Sequence, residues 1–278
     1  MAETLVSPNM SEFLATGQPM VEFKDVSIGF DGHQVLDGVS FSVAHGETRI
    51  LLGPAGGGKS VLMKLANGLI EPDSGDIRIF GRSLRNMTQR ELFDMRAHVG
   101  MVFQESALFD SLDVEDNVAY RLQEEHIDPR EAHERVVEAL QFVELEKAIE
   151  KFPSELSGGM RRRVSIARAI ISRPDLILYD SPTGGLDPIT STTIIELVIK
   201  QRDVSHTTCL LITHRLQDAF MLATHRYSQQ EHHMERIPDG GIDPGTRFLV
   251  LNEGKVVFDG TTLELTHTQD PWLREYIE

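Results

Sequence analysis

A glycine-rich stretch between residues 53 and 60 is the most specific chemical signal in the 278-residue chain. Its spacing, Gly-x4-Gly-Lys-Ser, is the pattern of a phosphate-binding loop. Consecutive glycines let backbone N–H groups curl around phosphate oxygens without obstruction from a Cβ atom. Lys59 is expected to reach the β- and γ-phosphates, and Ser60 to hold Mg²⁺ through its hydroxyl. The predicted nucleotide-binding residues are Gly53, Pro54, Ala55, Gly56, Gly57, Gly58, Lys59, Ser60 and Val61.

A second signal is the aspartate that ends the apolar run L-I-L-Y-D at residues 176–180. A buried strand ending in a carboxylate supplies the other half of a nucleotide site, so Asp180 is predicted to bind Mg²⁺ through water. The next residue is Ser181, and a serine hydroxyl can at best orient water by hydrogen bonding.

The elements around the glycine-rich stretch favour a phosphate site over a glycine-rich turn that binds nothing. T-R-I-L-L (48–52) precedes it as a short apolar strand, and S-V-L-M-K-L-A follows it with helical spacing. Upstream, the alternating residues 21–43 predict two antiparallel strands joined at Asp31-Gly32-His33. Downstream, residues 88–173 are mostly helical, a βαβ series runs to about 223, and 248–260 form a hairpin with Glu253-Gly254 at its turn.

These elements predict an α/β fold of the P-loop NTPase (RecA-like) type, with N-terminal antiparallel β strands and an inserted α-helical subdomain. The predicted organisation has a flexible tail (1–20), a nucleotide-binding domain (21–260) and a C-terminal tail (261–278). The domain contains the helical subdomain, about 88–173, and a polar insertion, about 225–246.

Composition and charge narrow the class of protein. A net charge of −16 argues against non-specific nucleic-acid binding, which requires clustered Lys and Arg. The single cysteine, Cys209, excludes an internal disulfide and indicates a reducing compartment. No apolar run approaches the roughly 20 residues of a membrane span, and the first residues lack the layout of a signal peptide.

With the phosphate loop and Asp180 in place, the chain resembles the ATP-binding subunits of ABC transporters over about residues 21–275. Five further sequence elements of that family are present. Each is weak evidence alone, since, for example, a histidine at the end of a strand is more often structural than functional. Their occurrence in the family's order makes the resemblance specific. They are the adenine-stacking aromatic Phe30, the subdomain-linking Gln104, the signature Leu156–Met160 with Ser157, Gly158 and Gly159, the dimer-contact loop Gly185-Leu186-Asp187, and the switch histidine His214.

The resemblance implies a mechanism and partners. ATP with Mg²⁺ is expected between two copies of the chain, with the signature residues and Asp187 of one copy facing the nucleotide of the other. Gln104 is implied as a further Mg²⁺ ligand and His214 as a catalytic residue. A membrane permease is the implied partner, which places the chain peripherally on the cytoplasmic face of the inner membrane. Arg161, Arg162 and Arg163 follow the signature. At least two of them are expected to form a solvated basic face near the phosphates and to have no specific role.

Within the family, the signature with Met160 and the segments 103–120 and 186–191 look like those of the Mce/Mla-type ATPases. This resemblance implies transport of phospholipids or other lipids, with an MCE-type substrate-binding protein as a further partner. Phe109, Leu112 and Val114 are predicted either to meet a permease helix or to be ordinary core residues. The alternatives are an ATPase of a small polar solute importer, a nearly inactive regulatory module, and a soluble protein of ribosomes or DNA repair; the last is disfavoured by the lack of a second nucleotide-binding domain.

In the family pattern the residue after the strand-end aspartate is a glutamate that polarises the attacking water, whereas this chain has Ser181. Three interpretations follow: slow hydrolysis that relies on His214 and positioning, a working site on another chain, or a substitution that traps ATP. The first is favoured because the surrounding Y-D-S-P-T-G-G is coherent.

The polar insertion contains His225, Glu231, His232, His233 and Glu235. Their spacing matches no metal motif, so a solvated loop is favoured over metal ligation. Its position before the last hairpin suggests a partner or regulatory contact.

Overall fold

The computed structural model describes residues 10–278. The helices are α1 Met10–Ala15, α2 Lys59–Ala66, α3 Gln89–Ala97, α4 Val114–Glu124, α5 Pro129–Phe142, α6 Gly158–Ile170, α7 Pro188–Ser205, α8 Leu216–Thr224, α9 Thr262–Thr266 and α10 Pro271–Ile277. The strands are β1 Val21–Phe30, β2 His33–Val43, β3 Thr48–Leu52, β4 Ser74–Ile79, β5 Arg82–Ser83, β6 Val99–Val102, β7 Leu176–Asp180, β8 Thr208–Ile212, β9 His225–Ser228, β10 His233–Arg236, β11 Thr246–Asn252 and β12 Lys255–Thr261.

The chain divides into two compact units, which we call the first unit (residues up to Ala97 together with Pro244–Glu278) and the second unit (His98–Asp243). In the first unit an antiparallel sheet has the strand order β2-β1-β4-β5. One face of β1 is buried, and the ring of Phe23 stacks on that of Phe41 in β2 with centroids 4.7 Å apart. The two predicted N-terminal strands and the turn between them are confirmed.

The other strands of the first unit are β3, β11 and β12. All five residues of β3 are buried, as expected for a short, continuous apolar run. β3 pairs in parallel with β11, and β11 returns as the antiparallel partner of β12 with Asn252 opposite Lys255. The predicted closing hairpin is therefore confirmed. Because β3 ends at Leu52, the chain passes directly from a buried strand into the glycine-rich stretch.

The second unit contains three parallel strands, with β7 paired to both β6 and β8. All of β8 and the first four residues of β7 are buried. Helices α4, α5 and α6 follow β6 and precede β7 in the chain, and they pack on one another. The segment predicted as helical, 88–173, thus also contains the strand β6.

The polar insertion forms the hairpin β9–β10 instead of the predicted loop. Two carboxylates of α7, which lie two helical turns apart, hold its backbone. Glu196 accepts a hydrogen bond from the N–H of Met234 at 2.7 Å, and Asp203 accepts one from the N–H of Tyr227 at 2.7 Å. The buried Arg202 is paired with Asp203 through two hydrogen bonds. Carboxylate acceptors for outward-facing N–H groups explain how so polar a segment is held as a hairpin.

No group of three or more His, Cys, Asp and Glu side chains arranged for a metal ion occurs within residues 10–278. His232 and His233 at the tip of the hairpin are exposed. Over the same residues, no helix is both long enough and apolar enough to cross a membrane. Residues 1–9 of the predicted tail lie outside the described residues, and Met10–Ala15 is helical with Phe13 buried. The C-terminal segment forms α9 and α10.

Candidate functional site: a phosphate loop and a strand-end carboxylate

The glycine-rich stretch is a tight loop between β3 and α2 in the first unit. At Gly53 the backbone has φ +139°, and a Cβ atom there would lie 2.1 Å from the carbonyl oxygen of Leu251. At Gly58, with φ +88°, a Cβ would lie 2.6 Å from Leu36 Cδ2. No side chain caps the N-terminus of α2. The N-cap residue is Gly58, which has no side chain to cap the helix, and this fits the binding of a phosphate group there.

Lys59 lies at the start of α2 and is 4% exposed. Its ammonium donates hydrogen bonds to the carbonyl oxygens of Gly53 at 2.8 Å and Pro54 at 2.7 Å. The charge is therefore held at the beginning of the loop. The neighbouring Ser60 is exposed, so its hydroxyl is open to a ligand. A hydroxyl oxygen is a ligand type that Mg²⁺ accepts alongside carboxylates and phosphates.

Alanine at Gly53 is expected to disrupt the loop, because a Cβ would collide with a backbone carbonyl that no rotamer change can move. We expect a loss of stability of about 3 kcal/mol or more and loss of detectable MgATP binding. The matched control is Gly56→Ala, since a Cβ at Gly56 meets no atom within 4 Å. In stability, that variant has only the cost of a left-handed residue, about 1 kcal/mol. Thermal unfolding compares the two variants, and an equal loss of stability would contradict the collision.

In the second unit, β7 ends at Asp180 and the chain turns sharply at Ser181. Ser181 is 3% exposed and has φ +48°, in the left-handed region. Its N–H donates to the carbonyl of Ile212 at 3.0 Å, and its carbonyl accepts from the N–H of Gly184 at 2.9 Å. Its hydroxyl lies 3.4 Å from Asp180 Oδ1. The serine is thus fixed by the backbone on both sides, with its hydroxyl directed at the carboxylate.

Gln104 lies beside this turn. A Cβ at Gly184 would lie 3.3 Å from Gln104 Cγ, so the glutamine stem lies against the glycine. The guanidinium of Arg162 joins the two segments by donating to the carbonyls of Phe103, Gln104 and Gly184. Arg162 is 4% exposed. Burial lowers its pKa, and the charge of Asp180 opposes that shift. Within the second unit, Gln104 therefore lies against Gly184, whose N–H is bonded to Ser181 in the turn that follows Asp180.

The interpretation of the arginines as a solvated basic face is wrong for Arg162, which is buried, whereas Arg161 is exposed and Arg163 is half-buried. Arg161 donates to the carbonyl of Leu156 at 2.7 Å, and Arg163 to that of Val143 at 3.1 Å. Arg162 binds the carbonyls named above. Each guanidinium serves as a donor to backbone carbonyls, because α6 is packed among segments whose carbonyls need partners.

The signature residues open α6. The hydroxyl of Ser157 accepts a hydrogen bond from the N–H of Met160 at 3.2 Å and so caps the helix. A Cβ at Gly159 would lie 2.4 Å from Thr190 Cγ2, which explains why glycine is needed there. Asp187 caps α7 by accepting from the N–H of Thr190 at 3.0 Å and from its hydroxyl at 2.5 Å. These hydrogen bonds, with that of the hydroxyl first, lower the pKa of Asp187.

The remaining predicted residues lie at accessible positions. His214 is exposed and follows β8 by two residues. Gly158 is exposed at the first position of α6, and Phe30 is 45% exposed at the end of β1. Phe30 and residues 53–61 belong to the first unit, whereas Gln104, Ser157, Gly158, Gly159, Asp180, Ser181, Asp187 and His214 belong to the second.

Of the residues predicted either to meet a permease helix or to form core, Val114 is fully buried and is core. Phe109 is exposed, and its ring lies 4.8 Å from that of Tyr120. Leu112 is half-buried. Of the three residues, only Phe109 is exposed, at 43%.

Sequence reasoning missed a buried pair that supports the Ser181 turn. The hydroxyl of Thr183 donates to Asp218 at 2.5 Å, and Asp218 also lies 3.5 Å from Arg215. Burial raises the pKa of Asp218, and the hydrogen bond with Thr183 opposes this shift. An aspartate at an apolar position of α8 is the only signal that the sequence offers for this contact.

A strand, a glycine-rich loop and a helix that begins at a buried lysine are characteristic of P-loop nucleotide-binding proteins. The model of the ABC transporter family matches residues 36–184, and the chain belongs to this family. The fold is similar to that of an ATP-binding cassette solved as a dimer in a post-hydrolysis state with ADP and Pi, which confirms the fold class predicted from the sequence. That structure is 27% identical, has a TM-score of 0.73, and the match covers 87% of this chain and 98% of the other.

Two relatives are similar over nearly the whole chain. The chloroplastic protein TRIGALACTOSYLDIACYLGLYCEROL 3 of Arabidopsis thaliana is 35% identical over 266 residues, covering 92% of this chain and 73% of its own. The intermembrane phospholipid transport system ATP-binding protein MlaF of Escherichia coli (strain K12) is 33% identical over 260 residues, covering 93% and 88%. ABC ATPases hydrolyse ATP, dimerise and work with membrane permease subunits. The resemblance to the Mla type that the sequence predicted is confirmed by these relatives.

Proposed function

We propose that this chain is the ATP-binding and ATP-hydrolysing subunit of a transporter that moves phospholipids or related lipids through the cell envelope. The observation that carries the nucleotide part is the phosphate loop, with the uncapped start of α2 and the buried ammonium of Lys59. Similarity to MlaF, whose name states intermembrane phospholipid transport, supports the lipid part. The chain then acts peripherally on the cytoplasmic face of the inner membrane, docked on a permease.

The residues take separate roles in this proposal. Lys59 would bind the β- and γ-phosphates, and the residues that would hold Mg²⁺ are Ser60, Gln104 and, through water, Asp180. Phe30 stacks on the adenine. When bound, the metal would supply positive charge beside the phosphates.

Two copies of the chain sandwich ATP. Ser157, Gly158 and Gly159, at the start of α6, face the nucleotide of the partner copy, where helix N–H groups suit an anion. Asp187 lies at the contact between copies, held by its capping bonds to Thr190. The permease and an MCE-type substrate-binding protein complete the complex.

Ser181 supports a second candidate function, an ATP-binding regulatory module that hardly hydrolyses ATP. Its hydroxyl is no base at neutral pH, and it already faces Asp180. His214 is the remaining candidate to place the water. The number of ATP molecules hydrolysed per bound ATP separates this function from an active transporter subunit.

The decisive experiment uses the chain co-purified with its permease and reconstituted in phospholipid vesicles. ATP-dependent transfer of a fluorescent phospholipid to acceptor vesicles, absent with ADP, is the expected result. ATP-dependent uptake of a polar solute without lipid transfer would contradict the lipid part. Tight ATP binding with neither hydrolysis nor transfer would favour the regulatory module.

A further inference from the structure

The C-terminal helix α10 contacts the phosphate loop at a position that the mechanism above does not use. The hydroxyl oxygen of Tyr276 accepts a hydrogen bond from the backbone N–H of Gly53 at 2.9 Å. The two residues are 223 positions apart in the sequence. Both belong to the first unit. A side chain from the end of the domain thus holds the first residue of the loop.

The placement of Tyr276 is itself well defined. Its ring stacks on that of Trp272 one turn earlier, with centroids 5.3 Å apart and planes inclined by 10°. Leu273 on the same helix is buried, and Asp270 caps the helix by accepting from the N–H of Leu273 at 2.9 Å. A stacked, anchored ring loses little further freedom when its hydroxyl binds, so the hydrogen bond is formed at low entropic cost.

Gly53 is held on both sides of its Cα atom. Its N–H donates to Tyr276, and its carbonyl accepts from the ammonium of Lys59 at 2.8 Å. The carbonyl of Leu251 excludes a side chain on the third side. The position of Gly53 therefore depends jointly on a strand of the sheet, the lysine and the tyrosine.

Nucleotide binding is expected to break the hydrogen bond from Lys59 to Gly53 but to leave the one from Gly53 to Tyr276 in place. Resting on the proposed function, Lys59 turns from the loop carbonyls to phosphate oxygens when ATP binds, so the carbonyl of Gly53 loses that donor. The N–H of Gly53 keeps Tyr276. The phenol is suited to this task because a tyrosine is neutral at physiological pH. Burial raises its pKa further, and the hydrogen bond from Gly53 opposes this shift.

We infer that Tyr276 is a positioning residue for nucleotide binding: its hydroxyl fixes Gly53 so that the phosphate loop keeps its binding conformation when Lys59 leaves the loop carbonyls. Loss of the hydroxyl makes the loop more mobile before binding and the complex shorter-lived. The helix α10 is thereby a part of the nucleotide site, although it contains no residue predicted to touch the nucleotide.

The test is Tyr276→Phe in the full chain, which removes one oxygen and retains the stacked ring. The expected result is an increase of about three- to tenfold in the Kd for MgADP and MgATP, mostly through faster dissociation, because one net hydrogen bond corresponds to a change of that size. Calorimetric titration and stopped-flow release of a fluorescent ADP measure these quantities. The Tm is expected to stay within about 3 °C of the native value.

The matched control is Tyr227→Phe, which removes the hydroxyl of a half-buried tyrosine on the β9–β10 hairpin in the other unit. It is expected to leave both Kd values unchanged. A Kd for Tyr276→Phe within twofold of the native value overturns the inference. So does an equal rise in the control, or a Kd change that merely follows a large fall in Tm.

A second readout needs no nucleotide. The amide hydrogen of Gly53 is expected to exchange at least about tenfold faster in Tyr276→Phe, because its acceptor is gone. NMR of glycine-labelled protein measures this rate, with Gly254 at the β11–β12 turn as an internal reference. Unchanged exchange at Gly53 overturns the inference. If the native chain binds neither nucleotide, the proposed function fails, whereas the exchange result still decides whether the tyrosine holds the loop.

Discussion

Replacing Ser181 with glutamate is expected to raise steady-state ATP hydrolysis about 100-fold or more. A glutamate, with an ordinary pKa of about 4.3, is an ionised acceptor at pH 7. The serine hydroxyl, 3.4 Å from Asp180 Oδ1, is not. A positioned general base contributes about 10²- to 10⁴-fold to a rate. We expect the lower end of this range, because a second carboxylate beside Asp180 is repelled by it.

The substitution is not expected to change the backbone strain at position 181. Its φ of +48° strains serine and glutamate alike, since both have a Cβ atom. Ser181→Gln is the matched control, because glutamine has the size of glutamate but no basic carboxylate. A rate for Ser181→Glu within tenfold of the native rate would show that another group places the water. Equal gains in both variants would assign the effect to side-chain size.

Replacing Lys59 with methionine is expected to weaken MgATP binding by about 10²- to 10⁴-fold. Hydrogen bonds to charged groups are worth about 1.5–3 kcal/mol each, and Lys59 is predicted to bind two phosphates. Because Lys59 is buried, with 4% of its surface exposed, a cation from solution is not expected to take the place of its ammonium in the variant. Methionine retains an unbranched stem of similar length, so the packing around α2 is largely preserved.

The control for this prediction is Lys64→Met, an exposed lysine in the last turn of the same helix. It is expected to leave the Kd for MgATP within about twofold of the native value. Calorimetric titration of both variants, beside thermal unfolding, separates lost phosphate contacts from lost folding. Binding by Lys59→Met within tenfold of the native chain would contradict the role of the lysine.

The phosphate loop and the strands around it were predictable because their signals are local. Consecutive glycines, a preceding apolar run and a following helical pattern lie within about twenty residues of one another. The turn at Glu253-Gly254 is encoded in the same way, by its own residues and the alternation beside it. Such segments have few alternative conformations, whatever packs on them later.

The partners of charged side chains were not predictable. A run of three arginines usually faces water, yet α6 places Arg162 among the carbonyls of segments 59 and 22 residues away. The β9–β10 hairpin was missed because its residues are polar and its anchors, Glu196 and Asp203, belong to another element. Neither arrangement follows from the composition of the segment concerned.

The sequence by itself determined the class of fold, the glycine-rich loop between a strand and a helix, Asp180 at the end of a buried strand and the absence of a glutamate at position 181. Only the tertiary structure decided that Ser181 faces Asp180, that Arg162 joins the segments of Gln104 and Gly184, and that Tyr276 holds Gly53. The physical reason is the range of the forces. Backbone preferences and hydrophobic periodicity act between near neighbours in sequence, whereas a buried hydrogen bond depends on which distant groups the packed core brings within 3 Å.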